Sequence, residues 1–361
     1  MKVFDIAIWT LNETGLNTAL RLRNEQGVKI IFTPVSLVKF NNNPIITGYD
    51  NFTDRVCSAF NEYSAHLFIM ATGIVIRTVS KLIKDKTIDP AIIAMDEMGK
   101  NIISLLSGHM GGANRLTLQL ASTLKGNPVI TTATDINNII AVDTIAMETG
   151  SVIENKDNIK IVSAAMLRNE PVAMICDNGL YDKYNDDRGY RLDHFVDFHD
   201  VNPNEYAAIS IFSDRIFPIS SELLQKTLIV RPPTILLGLG CNRNTSENEI
   251  TETVDLALNK AGISPYSIAG VATIDNKRDE EGLISFCKSI NKQLIFYSAE
   301  ELNRVIYEKM SPPSVEAQKH VGANGVAEPA ALLAAGKGAE LIMNKIRSGN
   351  VTLAIARKRL I

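Results

Sequence analysis

Short runs of β-branched and aromatic residues alternate with amphipathic stretches through most of this chain, and several runs end in a glycine-rich turn that opens the next stretch. That alternation is the pattern of buried, mostly parallel strands joined by helices, and it predicts an α/β fold. Strands are expected over residues 4–9, 28–33, 66–70, 91–95, 101–105 and 128–131, with helices over 13–24, 54–62, 74–83 and 113–124. The pattern weakens after Asp135, and 177–200, rich in Asp, Asn, Tyr and Gly, reads as irregular loop. Arg231-Pro232-Pro233 then interrupts helix and central strand alike. A second α/β unit follows, with strands over 234–237, 267–273, 293–297 and 351–356 and a helix over 246–261. The expected organisation is an N-terminal three-layer α/β region with a mostly parallel sheet (1–140), a middle region packing on or extending it (141–230), and a smaller C-terminal α/β domain (233–361).

Charge and cysteine usage narrow the function classes. With 37 basic against 40 acidic residues, the chain has no global field for a polyanion, so nucleic acid is not expected as a partner. The four cysteines, Cys57, Cys176, Cys241 and Cys287, are far apart and have no His at zinc spacing, which argues against a disulfide framework or a protein metal site. The apolar segment from Val3 to Trp9 is too short for an export signal, and no run approaches the roughly 18 residues that span a bilayer. A cytoplasmic protein without a membrane segment is expected.

The stretch Ser107-Gly108-His109-Met110-Gly111-Gly112-Ala113-Asn114 follows one predicted strand and opens a predicted helix. Glycines there let a ligand approach the backbone, and the first helical turn favours an anion. His109 is the group able to move protons near neutral pH. The competing reading is a turn glycine-rich for packing, with His109 an ordinary loop residue. Ala71-Thr72-Gly73, with Arg77 one turn on, is expected as a second such turn on the same sheet edge; Arg77 suits an anion contact or a solvated helix face equally. Asp96 and Glu97 could supply a carboxylate base, although Asp-Glu-Met-Gly is also simply a good turn. In the C-terminal unit, Gly238-Leu239-Gly240-Cys241-Asn242-Arg243-Asn244-Thr245-Ser246 reads as a third glycine-rich turn. It lacks the third glycine and the downstream acid of a dinucleotide site. Thr245 or Ser246 suits an N-cap, with Glu249, three residues after Ser246, as a capping-box partner, and Cys241 reads as a small buried residue. Gly322-Ala323-Asn324-Gly325 repeats the turn before a helix starting at Val326.

Taken together, these segments resemble the cobalt-precorrin-5A hydrolase family (CbiG) of anaerobic cobalamin biosynthesis. The resemblance is carried in the N-terminal half by Ala71-Thr72-Gly73-Ile74-Val75-Ile76-Arg77, Lys84-Asp85-Lys86, Asp89-Pro90-Ala91, Asp96-Glu97, Leu105-Leu106-Ser107-Gly108-His109, Gly111-Gly112-Ala113-Asn114 and Ile130-Thr131-Thr132-Ala133-Thr134-Asp135. In the C-terminal half it is carried by Gly238-Leu239-Gly240-Cys241-Asn242-Arg243, Ala272-Thr273-Ile274-Asp275, Ser298-Ala299-Glu300-Glu301-Leu302, Val326-Ala327-Glu328 and Ala354-Ile355-Ala356-Arg357. Two departures stand out: Asn244 where the family turn has Gly, and Gly325 where Ser is expected.

The resemblance implies a substrate that is a cobalt-bearing tetrapyrrole whose extruded meso carbon is tied into a lactone with an acetate side chain. Family members open the lactone with water and release the two-carbon fragment as acetaldehyde. The cobalt belongs to the substrate, so no cofactor is implied. Such a broad apolar disc rimmed with carboxylates calls for anion-binding backbone and cations at its edge. His109 is expected to act as base on water or to protonate the leaving oxygen, with amides around Gly111 and Gly112 holding the oxyanion and Asp96 or Glu97 as alternative bases. Substrate contacts are expected from Thr72, Gly73, Arg77, Ser107, Gly108, Gly111, Gly112 and Asn114, and in the second unit from Gly238, Gly240, Cys241, Arg243 and Thr245. Ser107 as a covalent nucleophile is disfavoured, because Ser107 and His109 are too close in sequence to supply an obvious oriented triad and no third member can be named. Besides the substrate, other enzymes of the pathway and a second copy of the chain are the partners to consider. The competing function is a tetrapyrrole-binding or scaffolding protein that leaves the chemistry to another enzyme; a methyltransferase would rest on the GxG turns alone.

Overall fold

The computed structural model describes residues 4–360 apart from 26, 39–42, 86–87, 137–138, 140, 185–190, 307 and 309; Lys86 therefore lies outside the described residues. The chain divides into two compact units, Met1–Glu148 and Thr149–Ile361.

In the first unit, seven strands stand in the order β3-β2-β1-β4-β5-β6-β7: β1 (Ile6–Thr10), β2 (Val28–Pro34), β3 (Ile46–Tyr49), β4 (Ala65–Ile69), β5 (Ala91–Met95), β6 (Asn101–Leu106) and β7 (Asn127–Val129). β1, β4 and β5 are buried along their whole length, which is why they read as unbroken apolar runs. Successive side chains point to opposite faces. Ile6, Ile8, Leu67 and Ile93 therefore pack with Leu16 and Leu116 of helices Glu13–Arg21 and Ala113–Leu124. On the other face Trp9, Phe32, Phe68 and Ile92 pack with Val56 and Val75 of helices Phe52–Ala59 and Thr72–Val79. Helices on both faces of a mostly parallel sheet make the three layers expected from the sequence.

One pairing departs from that expectation. β6 runs antiparallel to β5, whereas every other pair in the sheet is parallel. The cause is the short connection from Asp96 to Lys100, since a parallel return needs a crossover of a dozen or more residues. The end of β6 consequently lies at the edge where β1, β4 and β5 begin. The Ser107–Asn114 segment does not share an edge with Thr72 and Gly73; a strand length, roughly 17 Å, separates them.

The second face also holds a buried histidine. Trp9 Nε1 donates to His66 Nδ1 at 3.1 Å, and His66 Nε2 lies 3.0 Å from the Phe60 carbonyl, which fixes a neutral imidazole with its proton on Nε2. Burial pushes its pKa down from 6.5 to about 4, against a smaller upward pull from the Phe60 hydrogen bond. The unfolded state thus binds more protons between those two values, so the contribution is complete above pH 6.5 and lost as pH falls toward 4. The full loss is about 3 kcal/mol. Urea midpoints at pH 7.5 and pH 4.5 should differ accordingly, and His66→Phe should flatten that difference while lowering the pH 7.5 value by leaving the Trp9 N–H unpaired.

The second unit carries two sheets. Strands β8 (Val152–Ile153), β9 (Val172–Ile175), β10 (Leu192–Phe195), β11 (Ala208–Phe212) and β12 (Thr227–Arg231) stand in the order β10-β9-β11-β12-β8, with only β12–β8 antiparallel. Residues 141–230 thus supply a sheet of their own within the unit that also holds the C-terminal strands. The expectation of irregular loop over 177–200 is corrected: helix Asn178–Tyr184 and β10 lie there, held by Tyr181 stacked on His194 at 4.2 Å between ring centroids. Polar composition hid a half-exposed edge strand. Residues 185–190 of that stretch lie outside the described residues.

The C-terminal sheet has the order β15-β14-β13-β17-β16, from β13 (Ile235–Cys241), β14 (Ile268–Ile274), β15 (Leu294–Tyr297), β16 (Glu340–Ser348) and β17 (Val351–Arg357). β13, β14 and β15 are parallel, and β16–β17 form an antiparallel hairpin against β13. Asp214, just after β11, accepts Arg357 Nε at 2.7 Å and Nη2 at 2.8 Å, and the Thr234 hydroxyl at 2.6 Å, so one buried carboxylate ties the two sheets of this unit together.

Candidate functional site

β6 delivers the chain into the glycine-rich turn, and the turn is built by close approaches that only glycine permits. A Cβ on Gly111 would sit 2.3 Å from Ser107 Cβ, and one on Gly108 would sit 2.7 Å from Asn114 Oδ1. Gly112 has φ +87° beside the Phe4 ring, a backbone region that other residues rarely enter. The Ala113 amide donates to the Ser107 carbonyl and the Asn114 amide to the Gly108 carbonyl, so these two amides are spent in closing the turn. Asn114, expected to touch substrate, is a buried brace: its Oδ1 accepts from Ser104 Oγ at 2.6 Å and its Nδ2 donates to Thr132 Oγ1 at 3.0 Å. It fastens β6 to the segment after β7.

His109 sits on this turn with its Nδ1 3.7 Å from Asp143 Oδ2, the imidazole 20% exposed and the carboxylate 8%. Asp143 is the second residue of helix Val142–Thr149. The sequence reading missed it, because a lone Asp 34 positions after a histidine carries no spacing signal. At 3.7 Å the two groups are beyond hydrogen-bond reach but within ion-pair distance, so the carboxylate can pair with the ring when it carries a second proton during proton transfer. Ser107 is only 9% exposed and has φ +57°.

The other candidates of this unit lie at the opposite edge. Arg77 folds back to donate from Nη1 to the Gly73 carbonyl at 3.2 Å, and the helix that Thr72 opens has no side-chain cap. Asp96 accepts the amides of Met98, Lys100 and Asn101. Burial works to raise its pKa, but these hydrogen bonds outweigh it and hold the carboxyl below its ordinary value. Glu97 accepts from Asn12 Nδ2 at 2.5 Å. Both carboxylates thus build the β5–β6 turn, and the antiparallel pairing removes them from reach of His109. This corrects the expectation that either could serve as the alternative base at the glycine-rich turn.

In the second unit Gly238 and Gly240 lie inside β13 rather than in a turn. A Cβ on Gly238 would come within 1.8 Å of the Ala327 carbonyl, and one on Gly240 within 2.6 Å of Thr352 Oγ1, so helix and strand packing account for both glycines. The turn itself begins at Asn242. Asn244 takes φ +62°, the left-handed conformation that Asn tolerates best in place of Gly, and its amide donates to Glu280 Oε1 at 2.5 Å. Arg243 is engaged by Asp279 at 2.5 Å and by the Asn276 carbonyl at 2.9 Å. Thr245 is buried and donates to the Asn242 carbonyl. Cys241 is half-buried, and burial chiefly raises its thiol pKa, against smaller lowering by Lys277. Ser246 caps helix Glu247–Ala261 as expected, but Glu249 does not close a capping box; it reaches the Asn350 amide at 2.7 Å across the β16–β17 turn. The space beside Gly325 is open, so a side chain would fit there. Among the described residues no group of three His, Cys, Asp or Glu is placed to hold a metal ion, and no helix is long and apolar enough to cross a membrane.

Comparisons with known proteins agree with these motifs. Residues 54–135 match the family described as cobalamin synthesis G N-terminal, 140–232 the cobalamin biosynthesis central region, and 235–356 the cobalamin synthesis G C-terminus. A cobalt-precorrin-5A hydrolase of Priestia megaterium is 33% identical over 83% of this chain and 80% of its own length. One of Salmonella typhimurium is 30% identical over 98% of both chains. Among solved structures, a cobalamin biosynthesis protein G homolog from Sulfolobus solfataricus aligns over 98% of this chain and 97% of that one, at 24% identity and a TM-score of 0.37. With all three segments matched in order and relatives covered over 80% and 98% of their length, the chain belongs to the cobalamin synthesis G (CbiG) family.

Proposed function

We propose that this protein is a cobalt-precorrin-5A hydrolase of anaerobic cobalamin biosynthesis, acting in the cytoplasm, and that its hydrolytic centre is the glycine-rich turn after β6. The observation that carries the activity is the similarity, at 30% identity over 98% of both chains, to a relative of that name. The geometry supports His109 as the proton carrier. It sits on the glycine-rich turn and faces the buried Asp143 carboxylate.

His109 takes a proton from the oxygen that attacks the lactone carbonyl and returns one to the departing ring oxygen. Asp143 stabilises the protonated imidazole between those transfers. With the Ala113 and Asn114 amides spent on the turn, those of Gly111 and Gly112 are the donors proposed for the oxyanion. The hydroxyl freed by opening then loses its proton, and the carbon–carbon bond cleaves in retro-aldol fashion with its electrons passing into the macrocycle. Cobalt arrives and leaves inside the substrate. The purified protein, supplied with cobalt-precorrin-5A, should release acetaldehyde in step with substrate loss. Tight binding without acetaldehyde would favour the scaffolding role instead.

A further inference from the structure

Two residues before His109, Ser107 Oγ is buried and has no hydrogen-bond partner among the described residues. Its backbone is also in the left-handed region at φ +57°, costly for a residue with a Cβ and without the local excuse that Asn or Asp has. Both features destabilise the folded chain, and Gly at this position would remove both. Buried hydroxyls are nearly always paired, and strained residues persist where the surrounding structure holds them for use. Ser107 stands at a strand-to-helix turn, two residues before His109, whose ring faces Asp143. Asp143 stands by His109 as the third member that the sequence did not show, while Ser107 Oγ itself is not hydrogen-bonded to His109.

We propose, on the basis of the hydrolase reading above, that Ser107 is the nucleophile that opens the lactone, through a covalent acyl-enzyme. Ser107 Oγ bonds to the lactone carbonyl carbon while its proton passes to His109. Collapse of the tetrahedral adduct breaks the lactone carbon–oxygen bond, and His109 returns the proton to the departing alkoxide. The acetate side chain is now an ester of Ser107, and the former ring oxygen is a free hydroxyl still attached to the macrocycle. Water then gives a proton to His109 and attacks the ester carbonyl; the adduct collapses by breaking the Ser107 Oγ–carbon bond, His109 returns the proton to Oγ, and the acid released gives its remaining proton to solvent as it becomes a carboxylate. One water is consumed, as in direct hydrolysis. For the substrate and His109 to reach Oγ, the crest of the turn, Gly108–Met110, must shift on binding.

The test compares wild type with Ser107→Ala and Ser107→Gly, and weighs the intact enzyme after acid quench within the first turnover. Because the leaving oxygen stays tethered, the adduct should weigh one whole substrate, or one substrate less acetaldehyde. Both variants should keep or raise Tm while acetaldehyde release falls at least about 10³-fold. An acetaldehyde-forming wild type with no adduct, a Ser107→Ala enzyme of normal rate, or a lowered Tm in Ser107→Ala would each overturn the proposal while leaving the hydrolase reading intact. A wild type that makes no acetaldehyde would instead sink that reading.

Discussion

Replacing His109 by alanine should lower acetaldehyde release from cobalt-precorrin-5A by about 10²–10⁴-fold, the range that a positioned acid–base group contributes. Tm should scarcely move, because the imidazole is 20% exposed and tops a turn that is closed by backbone hydrogen bonds and glycine contacts. Substrate affinity, read by the quench of protein fluorescence or by equilibrium dialysis, should also persist. Asp143→Asn should act in the same direction but more weakly, lowering kcat with little change in KM, since it removes the charge that pairs with the protonated ring and leaves the ring itself in place. An unaltered rate in His109→Ala would remove the glycine-rich turn from the chemistry altogether.

The largest effect on stability should come from a residue far from that turn. Asp214 is 6% exposed and satisfies Arg357 through two hydrogen bonds and the buried Thr234 hydroxyl through a third. Asp214→Ala takes the main acceptor from the buried Thr234 hydroxyl and from a partly exposed guanidinium that keeps a longer contact to Glu340 at 3.5 Å. Breaking such a pair by removing one partner costs about 3 kcal/mol or more. For a unit of this size that corresponds to a Tm fall of roughly 6–12 °C. Calorimetry should show it, and Arg357→Met in the Asp214→Ala background should recover part of the loss by removing the stranded cation. A Tm within one degree of wild type would mean that solvent replaces the carboxylate at no cost.

Local residue chemistry made much of this molecule legible in advance. Unbroken apolar runs identified β1, β4 and β5, because strands covered on both faces need no polar alternation. Ser246 before Glu247–Ala261 and Asn244 in the left-handed region followed from capping and backbone preferences that act within a few residues. The ordered motifs carried the family. The strand direction at β6 was also within reach, since the few residues from Asp96 to Lys100 cannot make a crossover; reading β6 as one more parallel strand is what misplaced Asp96 and Glu97.

What the sequence by itself determined is therefore the α/β class, the glycine-rich turns, His109 as a candidate on one of them and membership of the family. Only the tertiary structure decided which of these meet. It set Thr72, Arg77 and the two carboxylates at the edge opposite His109, turned Gly238 and Gly240 into packing positions, brought Asp143 to the imidazole, and left Ser107 strained and unpaired. The physical reason is range: propensities and caps act over a few neighbours along the chain, whereas the partner of a catalytic side chain is chosen by strand direction and packing between segments that the sequence holds far apart.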